Sequence, residues 1–333
     1  MKYSFSVCLK IVAFFLFSFL FFDCSGKKNC DGDCSELNII RFDNDLFNYL
    51  NDNDSVFFLN KNRFFLDEFG KNVLEIGDSD SAGFYSRLKK YFSDSTLMRL
   101  YNDEQEKFND ITGINSELHD GMEILLQHFP ALQRPKIYLH VSGFNQNVIV
   151  DDSILSLSAD KYLGSDYSLY QDYFYDYQRQ LMTPERIVPD YLLGFMMANF
   201  PFRGNDDVLL DRMLYEGKLR YILSRLLVHR NIWESTGYSM EQHEWCCRQE
   251  SRIWKTLLEN KHLFSSSYLT VEQYLKPAPY TASLSGESPG RVGVWLGFRI
   301  IDSYMKNNPA TSFAELIQID DYRELLRKSK YRP

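Results

Sequence analysis

The sequence lacks the features of several common functional classes. Its 333 residues contain no long basic run and carry a formal net charge of −8, which argues against a nucleic-acid partner. No G-x-x-x-x-G-K-[ST] pattern is present, so we expect no bound nucleotide. Glycine (17 residues) and proline (10 residues) are scarce, whereas 44% of the residues are hydrophobic and 16% are aromatic. This composition predicts a folded chain with a large core.

One stretch has the hydropathy of a targeting segment. The apolar run IVAFFLFSFLFF at residues 11–22 follows Lys2 and Lys10, and it is too short to cross a bilayer comfortably. Cys24 lies just after it, as in the lipobox of bacterial lipoproteins, in which the cysteine is lipidated. We predict a lipoprotein signal peptide at residues 1–23, lipid attachment (palmitate) at Cys24, and an extracytoplasmic protein anchored to a membrane of the bacterial envelope. A cleaved secretory signal, or an uncleaved anchor, is the alternative.

The remaining cysteines fall into two pairs. Cys30 and Cys34 lie in residues 24–35, whose small and polar composition predicts a flexible tether, and they could form a disulfide in an oxidising compartment. Cys246 is adjacent to a second cysteine and three residues after His243, so it could share a metal with that histidine. A single spacing without a second pair is common by chance, and buried thiols are the favoured interpretation.

Residues 36–333 are predicted to form a single domain, because no Pro/Gly/Ser-rich boundary and no internal repeat divides them. Helical periodicity dominates, except between residues 134 and 160, where KIYLHVS, NVIVD and SILSLSAD predict three short strands separated by turn residues. The predicted fold class is α+β: mainly helical, with a small, largely antiparallel three-stranded sheet. A tyrosine-rich segment follows, in which Tyr170, Phe174 and Tyr177 are expected to form one helical face packed on the core.

The segment LLDRMLYEGKLRYIL, residues 209–223, resembles the metal-binding helix of a zinc peptidase without its ligands. We expect Asp206 or Asp207 to cap this helix, and Arg212, Glu216 and Arg220, spaced four apart, to form a ladder of ion pairs. An H-E-x-x-H motif binds zinc because two imidazoles one turn apart point the same way, and its glutamate activates water.

Residues 215–219 offer little to a metal. Tyr215 and Leu219 stand where the histidines would be, and a lone Glu216 cannot hold a catalytic zinc. We therefore predict no catalytic residue, no metal site and no cofactor, with Tyr215 and Leu219 filling the degenerate site. Gly217 is expected to permit tight packing of its helix. Gly290, Gly293 and Gly297, spaced three and four apart, are expected to let the helix near them pack against the one that bears Glu216.

Four segments together resemble a known family. They are KIYLHVSGFNQNVIVDDSILSLSADKYLG, RIVPDYLLGFMMANF, LLDRMLYEGKLRYIL and GRVGVWLGFRIIDSYMKNNP, of which YEGK and GRVGVWLG are the most specific parts. From about residue 36 to 330 the chain resembles the gliding-motility lipoproteins of the GldB type from Bacteroidota. That family is in turn similar to predicted zinc peptidases whose H-E-x-x-H falls at residues 215–219. The resemblance implies a zincin-like fold without the catalytic ligands. It also suggests, from proximity at the level of the family, that Arg291 or Arg299 pairs with Glu216.

These observations lead to one functional hypothesis and two alternatives. The leading hypothesis is a lipid-anchored, non-catalytic, zincin-like protein that binds protein partners in gliding-motility or related envelope machinery. The first alternative is an envelope peptidase or peptidoglycan hydrolase, in which Glu216 works with His243, Glu244 or Glu250. The second is a glycan-binding module that uses the tyrosine-rich segment, and it requires exposed rings.

Overall fold

A computed structural model of the chain describes residues 37–52, 55–145, 148–151 and 153–333. Residues Leu37–Pro333 form one compact unit. The predicted signal peptide, Cys24 and the tether with Cys30 and Cys34 lie outside the described residues. No described helix is long and apolar enough to cross a membrane.

The described part of the chain is mainly helical, as predicted. Several helices begin at a polar side chain that accepts hydrogen bonds from the first turn: Asp94 accepts from the N–H groups of Thr96 and Leu97, and Ser239 forms a capping box with Gln242. In chain order the helices are α1 (Phe42–Asp52), α2 (Ser55–Glu68), α3 (Phe84–Tyr91), α4 (Ser95–Lys107), α5 (Thr112–His128), α6 (Tyr170–Tyr173), α7 (Asp176–Arg179), α8 (Ile187–Asn199), α9 (Leu209–Leu226), α10 (Ile232–Thr236), α11 (Met240–Glu259), α12 (Tyr268–Leu275), α13 (Val292–Asn307), α14 (Phe313–Gln318) and α15 (Tyr322–Ser329).

The sheet differs from the prediction in both size and direction. Four strands, β1 (Ile40–Arg41), β2 (Lys136–His140), β3 (Val148–Asp151) and β4 (Ile154–Ser158), lie in the order β1-β2-β4-β3. Only the β3–β4 pairing is antiparallel, whereas β2 runs parallel to both β1 and β4. The prediction of a three-stranded, largely antiparallel sheet was therefore wrong, because the chain leaves β2, passes to the far edge as β3 and returns between them as β4.

Helices cover the sheet on both faces, which explains why parallel strands are stable here. Ile137 and Leu139 of β2 belong to a large core formed with α5, α8, α9 and α13. Tyr138, between them, points to the opposite face and packs in a smaller aromatic core with Phe42, Phe65 and other rings of the N-terminal helices. All five residues of β4 are buried, as expected for a strand with no solvent-facing side.

The tyrosine-rich segment does not form one helical face. Helix α6 ends at Tyr173, and Phe174 is extended, so the expected stripe is interrupted there. Tyr170 is fully buried and donates its hydroxyl to the carbonyl of Asp160, whereas Tyr173 and Tyr175 are 61% and 72% exposed. Only part of this segment therefore belongs to the core.

Candidate functional site

Helix α9, which carries the degenerate motif, lies in the middle of the large core. Thirteen of its eighteen residues are buried, so other parts of the chain pack around most of the circumference of the helix. It begins at Leu209 after Val208, and no side chain caps it. The expected capping by Asp206 or Asp207 was wrong, since Asp206 pairs with Arg212 at 3.4 Å.

Gly217 brings α9 into backbone contact with α13. A Cβ atom at Gly217 would lie 2.4 Å from the carbonyl carbon of Gly297, and one at Gly297 would lie 2.0 Å from the carbonyl oxygen of Met213. No side chain fits between the two helices at this crossing. The expected packing of Gly297 on α9 is confirmed, but Gly293 faces α12 at Tyr274, and Gly290 lies against Ala278.

Tyr215 and Leu219 are enclosed, as predicted. Leu219 is fully buried, and Tyr215 is 5% exposed. The Tyr215 hydroxyl donates to the carbonyl of Phe200 at 2.9 Å. Burial, and to a lesser extent the charge of Glu216, raises the pKa of Tyr215 to about 12, so the phenol stays protonated at neutral pH.

Glu216 forms half of the predicted ion-pair ladder. Its carboxylate lies 3.8 Å from Nε of Arg220, but Arg212 turns away to Asp206 and stacks on the ring of Phe202 at 4.6 Å. Arg299, a suggested partner of Glu216, pairs instead with Glu250 at 2.9 Å. Arg291 makes no ion pair with Glu216 either. The suggestion that Arg291 or Arg299 pairs with Glu216 was therefore wrong.

Lys218 has a role that the sequence reasoning missed. The residue is 1% exposed, and its ammonium group donates to the carbonyls of Ile317 at 3.1 Å and Ile319 at 2.9 Å. It also lies 4.9 Å from the ring centre of Tyr322. Burial lowers the pKa of Lys218 to about 8. No pattern in the sequence separated this buried lysine from the other charged residues of the same helix, such as Arg212 and Glu216.

The acid and base candidates of the hydrolase alternative have separate partners. The ring of His243 accepts a hydrogen bond from Nε1 of Trp295 at 3.1 Å and lies 3.5 Å from the sulfur of Cys247. Glu250 binds Arg299 and the hydroxyl of Tyr331, while Glu216 faces Arg220.

The two adjacent cysteines differ in exposure. Cys246 is buried as expected, but Cys247 is exposed, and it is Cys247 that approaches His243. Among the described residues, no group of three or more His, Cys, Asp or Glu side chains is placed to hold a metal.

A cleft of about 890 Å³ lies near Arg220, the residue of α9 that pairs with Glu216. Three segments contribute most of its lining: residues 176–186, residues 230–242 and residues 277–291. Aromatic side chains of Tyr177, Trp233 and Tyr238 form part of the wall. A concave site of this size, with a mixture of apolar and charged groups, has the dimensions of a small-molecule or peptide site.

Three arginines line this cleft, and two of them have carboxylate partners. Arg186 binds Asp190 at 2.5 Å and donates to the carbonyl of Glu234 at 2.6 Å. Arg230 forms a two-point contact with Glu117. The third is Arg291, which immediately precedes α13. None of the sequence patterns pointed to this cleft, because its arginines come from distant parts of the chain.

Arg220 lies behind the cleft and connects it to the degenerate motif. It is 5% exposed, and it donates to the carbonyl of Ser235 at 3.1 Å. Burial, followed by the positive charge of Arg291, lowers the pKa of Arg220 to about 9. The carboxylate of Glu216, 3.8 Å away, offsets part of this effect.

Comparisons with known proteins agree with the family suggested by the sequence. No curated protein and no solved structure matches the chain. A family model described as "Gliding motility protein GldB" matches residues 25–333, which include every described element. The chain therefore belongs to the gliding motility protein GldB family.

Proposed function

We propose that this chain is a lipid-anchored, non-catalytic, zincin-like protein that serves as an interaction component of gliding-motility or related envelope machinery. The observation that carries the proposal is the use of residues 215–219 in packing. Tyr215 binds a carbonyl, Gly217 contacts α13, Lys218 binds two carbonyls, and Leu219 is fully buried. Membership of the GldB family supports the process, and the lipobox-like position of Cys24 supports the anchor.

Replacing Glu216 tests the non-catalytic role. A strain that lacks the gene is complemented with the wild-type chain, with Glu216→Gln, or with Glu259→Gln as a control at an exposed carboxylate that pairs with Lys255. We expect both variants to restore colony spreading and envelope integrity to the level of the wild type when protein levels are equal. A hydrolase that uses Glu216 would lose its function in Glu216→Gln alone, and that result would refute the proposal.

The anchor and the partners require separate measurements. Labelled palmitate should enter the wild-type protein and be absent from Cys24→Ala, whereas Cys30→Ala should retain the label. In-cell crosslinking of the anchored protein should then recover the same envelope proteins, in similar amounts, from replicate cultures. Retention of the label in Cys24→Ala would contradict lipidation at that residue.

A second candidate function, glycan binding, is favoured by one observation. The rings of Tyr175 and Tyr177 stack with their centres 5.8 Å apart, and Tyr173 and Tyr175 are largely exposed. Exposed aromatic faces can stack on sugar rings. Titration with soluble neutral glycans should change the intrinsic fluorescence of the wild-type chain but not of Tyr175→Ala if the segment has this role.

A further inference from the structure

The cleft contains an arginine in a conformation that arginine seldom adopts. Arg291 has φ 62° and ψ 28°, in the left-handed region, where a side chain costs free energy relative to glycine. No carboxylate or carbonyl of the described residues lies within bonding distance of its guanidinium group. Strain at a residue without a structural partner points to a role in function.

Two guanidinium groups converge over Gly237, which joins α10 to Tyr238. A Cβ atom built at Gly237 would lie 3.4 Å from Nη1 of Arg291 and 3.9 Å from Cζ of Arg186. Both distances are measured from the same point. The separation between Nη1 of Arg291 and Cζ of Arg186 is therefore at most the sum of the two distances. Gly237 itself has φ 78°, so both its conformation and its surroundings favour the absence of a side chain.

Two further features add positive potential at this end of the cleft. Arg220 is buried behind it, with its Nε atom 3.8 Å from the carboxylate of Glu216, and the Nε atom of Arg186 is buried without a hydrogen-bond partner. Helix α13, sixteen residues long, begins at Val292, directly after Arg291, so its partially positive end lies beside the same arginine. The buried Nε atom of Arg186, a residue that lines the cleft, is an observation independent of the helix end, and it lacks an acceptor.

We propose that this cleft binds a ligand bearing a carboxylate group, which lies between the guanidinium groups of Arg186 and Arg291. The uncharged body of the ligand then packs against Trp233, Tyr177 and Tyr238. The forked N–H groups of arginine match the two oxygens of a carboxylate. This inference goes beyond the proposed function, because it assigns a ligand class to a surface outside residues 215–219.

The acidic side chains around the cleft favour a singly charged ligand. Asp190 lies on Arg186, Glu234 is 3.6 Å from Arg230, and Glu185 and Asp176 also line the cleft. A carboxylate with one negative charge completes the coordination of Arg291 with little repulsion from these groups. A phosphate monoester, with nearly two negative charges at neutral pH, would be repelled more strongly.

Binding of N-acetyl-Ala-Phe to the purified full-length chain in detergent tests the proposal. Tryptophan fluorescence and thermal unfolding report binding, and glucuronate replaces the peptide in a second arm, so that peptide and sugar acids are distinguished. We expect one of these acids to bind with a Kd of roughly 0.1–1 mM, and its uncharged counterpart, N-acetyl-Ala-Phe amide or glucose, to bind at least about tenfold more weakly.

Arg291→Gly is the informative variant, with Arg248→Gln on the exposed side of α11 as its control. Glycine removes the guanidinium and also relieves the left-handed strain. We expect it to weaken acid binding at least about tenfold and to raise the Tm by about 2 °C. If Arg291 were purely structural, its removal would lower the Tm. The two roles therefore predict Tm changes of opposite sign.

Several results would overturn the proposal. They are the absence of binding by both acids at about ten times the expected Kd, equal binding of acids and their uncharged counterparts, unchanged binding in Arg291→Gly, and tighter binding of glycerol phosphate than of either acid. None of these results bears on whether the protein is catalytic, which the Glu216→Gln complementation decides separately.

Discussion

Residues 215–219 of α9 and the arginine-lined cleft lie close together but differ in how their polar groups are satisfied. In the first region every polar group has a partner within the chain: Tyr215 binds a carbonyl, Glu216 an arginine and Lys218 two carbonyls. In the second, Arg291 is strained and without a partner among the described residues. The difference shows that the polar groups of residues 215–219 are used in packing within the chain, whereas the loop before α13 presents a guanidinium group that has no such use.

The largest expected effect comes from Gly217→Ala. The new methyl would meet the backbone of Gly297, which cannot move as a side-chain tip can, so we expect a loss of about 3 kcal/mol or more in the free energy of unfolding. This exceeds the gain of about 1 kcal/mol in helix propensity. Gly113→Ala in α5, where no atom lies within 4 Å of the added Cβ, is the control and should be neutral or stabilising by up to about 1 kcal/mol. Equal Tm values for the two variants would show that the α9–α13 contact is loose.

Lys218→Met should have the next largest effect. Methionine fills a similar volume but leaves the carbonyls of Ile317 and Ile319 without this donor, so we expect a loss of about 2 kcal/mol in chemical denaturation. The control is Lys255→Met in α11, whose side chain is 72% exposed and which should change stability by less than about 0.5 kcal/mol. A stable Lys218→Met would indicate that the cost of burying the ammonium offsets its hydrogen bonds.

The pH dependence of stability gives a smaller signal from the same residue. Folding lowers the pKa of Lys218 to about 8, below its ordinary value of 10.5. The unfolded chain therefore binds more protons between pH 8 and 10.5, and this residue makes the fold more stable as the pH rises through that window. The stability of the wild type minus that of Lys218→Met should rise by about 1–2 kcal/mol between pH 7.5 and 10. A constant difference would mean that the two carbonyls keep the ammonium charged.

Gly237→Ala probes the cleft and should have the smallest effect. At φ 78° alanine costs about 1 kcal/mol relative to glycine, and the nearest cleft atom, Nη1 of Arg291, is 3.4 Å away on a flexible side chain. We expect a loss of about 1 kcal/mol in the free energy of unfolding, well below that of Gly217→Ala, since here conformation rather than backbone contact sets the cost. A loss as large as that of Gly217→Ala would remove the contrast between a packed region and an open one.

Local patterns predicted much of the fold. Periodicity gave the helices and the three longer strands, and the proline after Phe129 marked the end of α5 at His128. Direction of strand pairing could not be read from these patterns. The turn residues after β2 resembled those of a hairpin, yet β2 pairs with β4, because covering both faces of the sheet with helices makes a buried parallel arrangement favourable. The two residues of β1 were too few to show a pattern of their own.

Within the candidate site, the sequence predicted steric consequences better than electrostatic ones. The burial of Tyr215 and Leu219 followed from their size and from the apolar residues around them. The partners of Arg212, Arg291 and Arg299 did not follow from spacing, because a long side chain can choose between neighbours on its own helix and groups brought near by tertiary folding. The cleft could not be predicted either, because the residues that line it come from three separate segments of the chain.

The contact between Lys218 and the carbonyls of Ile317 and Ile319 joins positions about a hundred residues apart. During synthesis α9 emerges before residues 317–319. The ammonium group of Lys218 therefore stays hydrated until that segment packs against α9. A deletion that includes residues 317–319 would therefore leave the ammonium group of Lys218 without these two acceptors in the centre of the fold.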